Sequence, residues 1–503
     1  MSGETTPASA RDTGLSARAI LMSVLAVVLA AWAIWTLESA RAGLTFTELR
    51  EGPTPVTRIS DGSNGPPVVI AHGFAGSRQM MLSYAAALAQ GGYTVYSFDF
   101  EGHGRHPDPM RGDVTSIEGT TKRLVDQTLS VVEMAADGDS PVALLGHSMA
   151  TDVLVRVARQ DQDAVGPVVL LSAFSEAIDA TQPEDLLLIT GQWEGALAAF
   201  AERALQMADP DAALGQTVDT GEIRRKALLA PNVEHVAILH SRVGLEEAEA
   251  WLNAFYDRPR EAHVAIQTGW PLIALLFALT VLFRPVMQIY PPAEVEVPWL
   301  NRYAFAIVVL VPAVLTPLVA YPFDLQFLPV LVADYLALHL AIYGLIQVGL
   351  LLWLKGALPR PDVTAAAILA AWAILVFGTA LDRYGANFWP APGRLSLIAA
   401  LCLGAIPFMI ADSYLAHGAP FWQRLLGRVA FFASLGAAVA LDFEGLFFLL
   451  MIAPVLVLFY FTFGIMGRFT AKIAGPSAAG LGLGLALAWA LGVSFPLFAT
   501  GAG

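Results

Sequence analysis

The sequence predicts two parts: a mainly parallel β-sheet domain with helices on both faces and no inserted cap domain, followed by an all-α polytopic transmembrane bundle. Three observations predict it. Charged residues are frequent over about 38–261 and sparse afterwards, in a chain of 503 residues that is 56% hydrophobic and only 14% charged, with a mean hydropathy of +0.59; soluble domains carry about 25% charge. Short apolar runs alternate with helical periods over 68–256, the pattern of a parallel sheet covered on both faces. One such run, Val142-Ala143-Leu144-Leu145, ends in Gly146-His147-Ser148-Met149-Ala150 and passes at once into helical periodicity, which reads as buried strand, sharp turn and helix start.

Residues 1–18 read as a cytoplasmic tail. Residues 19–37 are long enough to cross a bilayer and follow Arg11 and Arg18, so they read as an uncleaved anchor. Ala40-Arg41-Ala42 resembles a signal-peptidase site, which keeps a cleaved signal peptide as the alternative. Residues 38–260 form the soluble domain and 261–503 the bundle, with about eight spans near 266–283, 303–320, 327–354, 365–380, 395–410, 425–441, 446–466 and 478–497. With the N-terminus in the cytoplasm, Arg284, Arg302, Lys355, Arg360, Arg424, Arg428, Arg468 and Lys472 collect on the inner side, and only Arg383 and Arg394 on the outer. The positive-inside rule then puts the soluble domain outside the cytoplasm, on a bacterial inner or cell membrane. The net charge of −14 argues against a nucleic-acid partner. The single cysteine, Cys402, falls in a span, so the soluble domain offers neither a disulfide nor a thiol nucleophile.

Within the soluble domain, 44–61 alternates polar and apolar residues around Pro53 and Pro55, as a bent antiparallel pair at a sheet edge does. Strands are then expected at 68–71, 93–100, 142–145, 167–174, 185–190 and 224–230. Helices are expected at 78–90, 116–136, 197–207 and 245–256 and directly after Ser148. Residues 175–184 run almost directly into the next strand, leaving no room for a cap.

Ser148 on a tight turn suggests a nucleophile. A serine hydroxyl needs a base within hydrogen-bond reach, the base needs a carboxylate to hold its tautomer, and the developing oxyanion needs N–H donors. The chain offers Ser148, then Glu194 in Gly191-Gln192-Trp193-Glu194, then His235, each after a strand. Over 67–256 these motifs resemble the α/β-hydrolase family, in which nucleophile, acid and histidine follow in that order. Gly146-His147-Ser148-Met149-Ala150 is similar to its nucleophile elbow, with Ala150 in place of the usual glycine. Gly191-Gln192-Trp193-Glu194 is similar to its Gly-x-x-Asp, with Glu for Asp, and leaves Asp185 and Asp219 as alternative acids. His72-Gly73-Phe74 is similar to its oxyanion loop.

The resemblance implies an oxyanion hole from the backbone N–H groups of Phe74 and Met149, catalysis by Ser148, His235 and Glu194, and no metal or organic cofactor. His72 and His103 read as loop residues, and His240 and His263 compete with His235 for the role of base. The activity implied is that of a serine hydrolase of the carboxylesterase or lipase type acting on lipid or other acyl esters. An acyltransferase using the same residues is a second reading, and a transporter or sensor bundle with an idle hydrolase-fold module is a third.

In the bundle, Asp334 and His339 recur in spacing as Asp412 and His417. A duplicated unit is one explanation; polar residues that hold helices together are the preferred one. Gly480, Gly482 and Gly484 suggest close helix packing.

Overall fold

The computed structural model describes residues 17–113, 116–136, 138, 140–258, 265–293, 300–323, 328, 330 and 332–499. A long apolar helix, α1 (Ala17–Ser39), leads into the hairpin β1 (Thr45–Glu51) and β2 (Thr54–Ser60). Strands and helices then alternate: β3 (Pro67–Ala71), α2 (Leu82–Gln90), β4 (Thr94–Phe98), α3 (Lys122–Ala135), β5 (Val142–His147), α4 (Met149–Gln160), β6 (Val165–Leu171), β7 (Asp185–Gly191), α5 (Gly195–Gln206), β8 (Thr217–Asp219), β9 (Arg224–Ala230) and α6 (Arg242–Phe255).

The strands make one nine-stranded sheet in the order β1-β2-β4-β3-β5-β6-β7-β9-β8. From β4 to β9 every neighbouring pair is parallel. Because successive side chains on a strand point to opposite faces, Val68, Ile70, Ala143 and Leu145 join α2 and α6 in one core. Val69, Leu144, Val168 and Leu170 join α3, α4 and α5 in the other. Residues 172–184 alone connect β6 to β7. The soluble domain therefore has the α/β-hydrolase fold, without a cap between those strands.

The bundle comprises α7 (Gly269–Ile289), α8 (Arg302–Ala320), α9 (Ala333–Lys355), α10 (Val363–Ala371), α11 (Gly378–Tyr384), α12 (Arg394–Ala416), α13 (Phe421–Leu441), the single turn α14 (Phe443–Leu446), α15 (Leu449–Ala474) and α16 (Pro476–Ser494). A π-type stretch, Trp372–Phe377, joins α10 to α11 as one helix. Counting that pair as one and including α1, nine helices among the described residues are long and apolar enough to cross a membrane. Helix α16 lies against α12 at Gly480 and Gly484, where a side chain would strike the α12 backbone at Ile410 and Ile406.

The expected antiparallel pair stands at one edge of the sheet, with β1 outermost and β2 paired to β4; the opposite edge is the three-residue β8, too short for its alternation to show in sequence. Two local expectations change. The helix expected from residue 116 opens as a π-type turn, Ile117–Thr121, because Gly119 takes non-helical angles. Helix α15 runs on to Ala474 and so carries Arg468 and Lys472 on a helix face.

The two Asp–His pairs of the bundle do not correspond. Asp334 lies in the first turn of α9 and accepts from the Leu328 N–H, whereas Asp412 lies in the last turns of α12 and meets Arg428 of α13. His339 Nε2 meets Ser434 Oγ of α13 at 3.1 Å. These contacts join neighbouring segments, as the helix-holding reading expects.

Candidate active site

The loops at the carboxyl ends of β3, β5, β7 and β9 meet above the sheet. Ser148 follows β5 with φ +54° and ψ −120°, an unfavourable conformation for a residue with a side chain, held by the Ser148 N–H on Leu171 O at 3.0 Å. The turn requires Gly146: a Cβ there would lie 2.5 Å from Leu154 Cδ1 and 3.2 Å from the Ala150 Cβ. With nothing at Gly146, the Ala150 methyl fits, which is why alanine can stand where glycine is usual.

His235 lies beyond β9 and reaches back. Its Nε2 is 2.8 Å from Ser148 Oγ and its Nδ1 is 2.6 Å from Glu194 Oε1. The Glu194 side chain is 8% exposed and that of His235 is 42% exposed, so the carboxylate is sheltered while the imidazole edge stays open. Burial pushes the Glu194 pKa up, but hydrogen bonds from His235, from Ser172 Oγ at 2.6 Å and from the Gly191 N–H at 2.8 Å outweigh it and hold the carboxyl below its ordinary range. Glu194 is therefore a carboxylate at neutral pH. The two loops are tied together by the Gln192 N–H on Ala230 O at 2.9 Å and the Trp193 N–H on Val233 O at 3.2 Å. The longer glutamate side chain thus starts from a turn fixed against the histidine loop.

The alternative acids lie elsewhere. Asp185 begins β7, at the end of the strand away from Ser148, and pairs with Arg224 and the Trp251 indole. Asp219 ends the edge strand β8, opposite Arg224. Neither reaches His235, because both lie beside Arg224 at the rim where β7 and β9 begin, opposite the rim that carries Ser148 and His235.

His240 is packed at the entry to α6 with Ser83 Oγ 2.8 Å and Thr268 Oγ1 3.0 Å from Nδ1. His263 lies outside the described residues. His72 accepts the Phe100 N–H on Nε2 at 3.1 Å and donates from Nδ1 to Gly73 O at 2.8 Å, which fixes its neutral tautomer and pins the loop bearing Phe74. A Cβ built on Gly73 would lie 3.0 Å from the Ser148 Cβ, so this loop presses directly on the elbow. His103 is fully buried with its ring edge-on to Phe74, 5.7 Å between centroids.

Two positioning residues escaped the sequence reading. His147 donates from Nε2 to the His235 carbonyl at 2.7 Å, and Ser172 holds the far oxygen of Glu194. His147 stands inside the Gly146–Ala150 motif, and that position is the signal that could have flagged it; Ser172 carries no such signal.

Burial lowers the pKa of both His147 and His240 from the ordinary 6.5 to about 4. In the unfolded chain both take protons as pH falls below 6.5, while the folded state resists until about 4. The stability that these residues contribute is therefore complete above pH 6.5 and lost as pH falls toward 4. Thermal unfolding of the full chain in neutral detergent should show a melting temperature that drops across this window, and less steeply for His240→Gln. A flat profile from pH 7 to 4.5 would contradict the burial of the two imidazoles.

A cavity of about 500 Å³ opens beside Ser148 and His235, walled by Phe74, Leu124, Met149, Val153, Leu197 and Phe174. Thr120, Asp152, Arg156 and Glu176 add polar groups to the lining, and the bundle supplies part of the wall. Phe448, just before α15, and Phe498, beyond α16, both line it, with ring centroids 5.4 and 6.5 Å from that of Phe74. The segment after α16 is pinned by backbone pairing: Leu497 N–H to Gly102 O at 2.8 Å, Met110 N–H to Leu497 O at 2.7 Å, and Ala499 N–H to Met110 O at 2.8 Å. Arg394 of α12, 1% exposed, donates to Gly102 O at 2.9 Å and to Gly492 O at 3.1 Å. Arg394 thus ties the bundle to the loop after β4, while Arg383 pairs with Glu38 at the end of α1 at 2.7 Å.

Fold and sequence motifs together define an α/β-hydrolase domain joined to a bundle of membrane-length helices. Residues 64–216 match the family described as Hydrolase_4: serine aminopeptidase, S33, which supports a hydrolase. No curated protein matches the chain. Similar solved structures include a predicted CIB-like hydrolase from Thermoplasma acidophilum (15% identity, 42% of this chain and 98% of that one, TM-score 0.34). A lipase in its open form (14%, 43% and 98%, 0.34) and the serine hydrolase CarC of carbazole degradation (15%, 42% and 99%, 0.32) are others.

Proposed function

We propose that this protein is a membrane-anchored serine hydrolase of the carboxylesterase or lipase type, cleaving lipid or other acyl esters at the extracytoplasmic face of a bacterial cell membrane. The observation that carries the reading is the unbroken chain Ser148 Oγ, His235 and Glu194, at 2.8 and 2.6 Å, opening on an apolar cavity. In this reading Ser148 Oγ attacks the ester carbonyl while His235 Nε2 takes its proton. Glu194 holds the Nδ1–H and stabilises the imidazolium. The N–H groups of Phe74 and Met149 receive the oxyanion. Collapse returns the proton from Nε2 to the leaving alkoxide and leaves an acyl group on Ser148. Water, deprotonated by His235, then attacks the acyl group, and the carboxylic acid departs with Ser148 reprotonated.

Two features favour an apolar acyl substrate. The cavity walls beside Ser148 are largely aromatic and aliphatic, and of its polar residues Asp152 is engaged by Arg156 and Ser175. With no cap domain between β6 and β7, the bundle residues Phe448 and Phe498 take the place of a lid. Orientation rests on the end of the bundle opposite the hydrolase domain, where Lys355, Arg424, Arg428, Arg468 and Lys472 collect.

Labelling by a fluorophosphonate, followed by a panel of esters, aminoacyl amides and competing alcohol acceptors, tests the reading. Wild type should label and Ser148→Ala should not. Absence of labelling in wild type would leave the idle-module reading. Faster cleavage of aminoacyl amides than of any ester would make the protein a peptidase, and acyl transfer to the acceptor outrunning hydrolysis would make it a transferase.

The wall has its own test. Removing a phenyl ring that packs on a bound acyl chain forfeits about 2 kcal/mol of apolar contact, so Phe498→Ala and Phe448→Ala should each raise KM for a long-chain ester by about 10-fold or more and leave an acetyl ester nearly unchanged. Equal losses on both esters would mean that these rings support the loop bearing Phe74 and do not contact the acyl chain.

A further inference from the structure

A second cavity, of about 160 Å³, lies at the far end of the bundle, between the last turn of α12, the first turns of α13 and the last third of α15. Helix α12 has 23 residues and touches the hydrolase domain at its first one, Arg394. At 1.5 Å per residue the cavity is about 33 Å away, roughly the thickness of a bilayer core. Arg424, Arg428, Arg468 and Lys472 line it, and Asp412 is the one carboxylate that lines it among the described residues.

That carboxylate is 3.4 Å from Arg428 Nη2, and the Arg428 guanidinium also lies over the Tyr460 ring at 4.0 Å while its buried Nε has no partner. Arg424, Arg468 and Lys472 have no carboxylate partner among the described residues.

The positive-inside rule asks only for cations scattered along the inner margin, where water screens them. It does not ask for three guanidiniums gathered from two helices around one hollow. Like charges held so close repel unless an anion joins them. The hollow itself is kept open by Gly464, where a Cβ would come no nearer than 3.6 Å to any neighbour and 3.9 Å to Arg428 Nη2. Guanidinium groups converging on a small cavity fit the oxygens of a phosphate, with which they form paired charge-assisted hydrogen bonds. The cavity is too small for a nucleotide.

We propose that this cavity binds a phosphate group, either the headgroup of an anionic phospholipid in the leaflet opposite the hydrolase domain or a soluble phosphate. Basic pockets between helices on the inner side suit the first source. The proposal is independent of the hydrolytic reading, because it concerns the other end of the bundle and its test measures binding.

The test uses the purified, delipidated full chain in neutral detergent, titrated with dioleoyl phosphatidylglycerol, with dioleoyl phosphatidylcholine and with inorganic phosphate. Binding is followed by native mass spectrometry for the lipids and by calorimetry for the ion. One saturable site is expected for phosphatidylglycerol or for phosphate, the former identifying the lipid source and the latter the soluble one. Arg424→Gln/Arg468→Gln should weaken it at least 10-fold. Gly464→Leu, which fills the hollow without altering charge, should do the same, and wild-type-like melting temperatures report that both variants fold. Absence of saturable binding by either probe would overturn the proposal, as would affinity unchanged in both variants or phosphatidylcholine binding as tightly as phosphatidylglycerol.

Discussion

If the proposed function holds, alanine at Ser148 should lower kcat for ester hydrolysis by on the order of 10⁵-fold or more, alanine at His235 should lower it by a similar factor, and the double variant should lose almost nothing further. The physical reason is that the two groups perform one event. The hydroxyl is a nucleophile only while Nε2, 2.8 Å away, can take its proton, and the imidazole has no other task in that step. Removing either deletes the whole transfer, so the second deletion finds nothing left to remove. Steady-state rates of the three variants decide the matter. Additive losses, with the double variant far below either single one, would mean that Ser148 and His235 do not act as a unit.

Glu194→Gln should lower kcat by on the order of 10³ to 10⁴-fold, while Asp185→Asn and Asp219→Asn should change it by no more than about 3-fold. The environment of the carboxylate sets the size of the effect. Oε2 accepts from Ser172 Oγ and the Gly191 N–H, and both demand an acceptor there. Glutamine therefore turns its carbonyl toward those donors and presents its NH₂ to His235 Nδ1. Nδ1 then accepts, the ring proton moves to Nε2, and Nε2 can no longer take the proton of Ser148. A Glu194→Asp variant keeps the charge but shortens the reach, and should lose less than Glu194→Gln. If the Glu194→Gln rate stayed within 10-fold of wild type, the carboxylate would be a loop anchor rather than the partner of His235.

Much of the architecture was legible in the chain because it is written in local periodicity. Val68, Ile70, Val69 and Leu144 belong to runs short enough for strands and apolar on both sides, which a sheet covered on both faces requires. Spans of about twenty apolar residues admit few other readings. Ser148, Glu194 and His235 could be named for a related reason: in a parallel sheet the loops after successive strands all emerge on one rim, so polar residues just past each strand are candidates to meet. The three-residue β8 and the π-type turn at Ile117–Thr121 were not legible, the first because it has no room to show a period, the second because a single glycine's angles decide it.

Sequence alone therefore determined the longer strands, the helices of membrane length, and which polar residues stand past strand ends, since each depends on neighbours within a few positions. Tertiary structure alone decided which acid faces His235, that Ser172 and His147 brace the pair, that Phe448 and Phe498 reach across from the bundle to line the cavity, and that Arg394 ties the bundle to Gly102. It likewise decided that Arg424, Arg428 and Arg468 converge on one hollow. These outcomes depend on how helices distant in the chain pack against one another, and that packing is the sum of many weak contacts with no local signature.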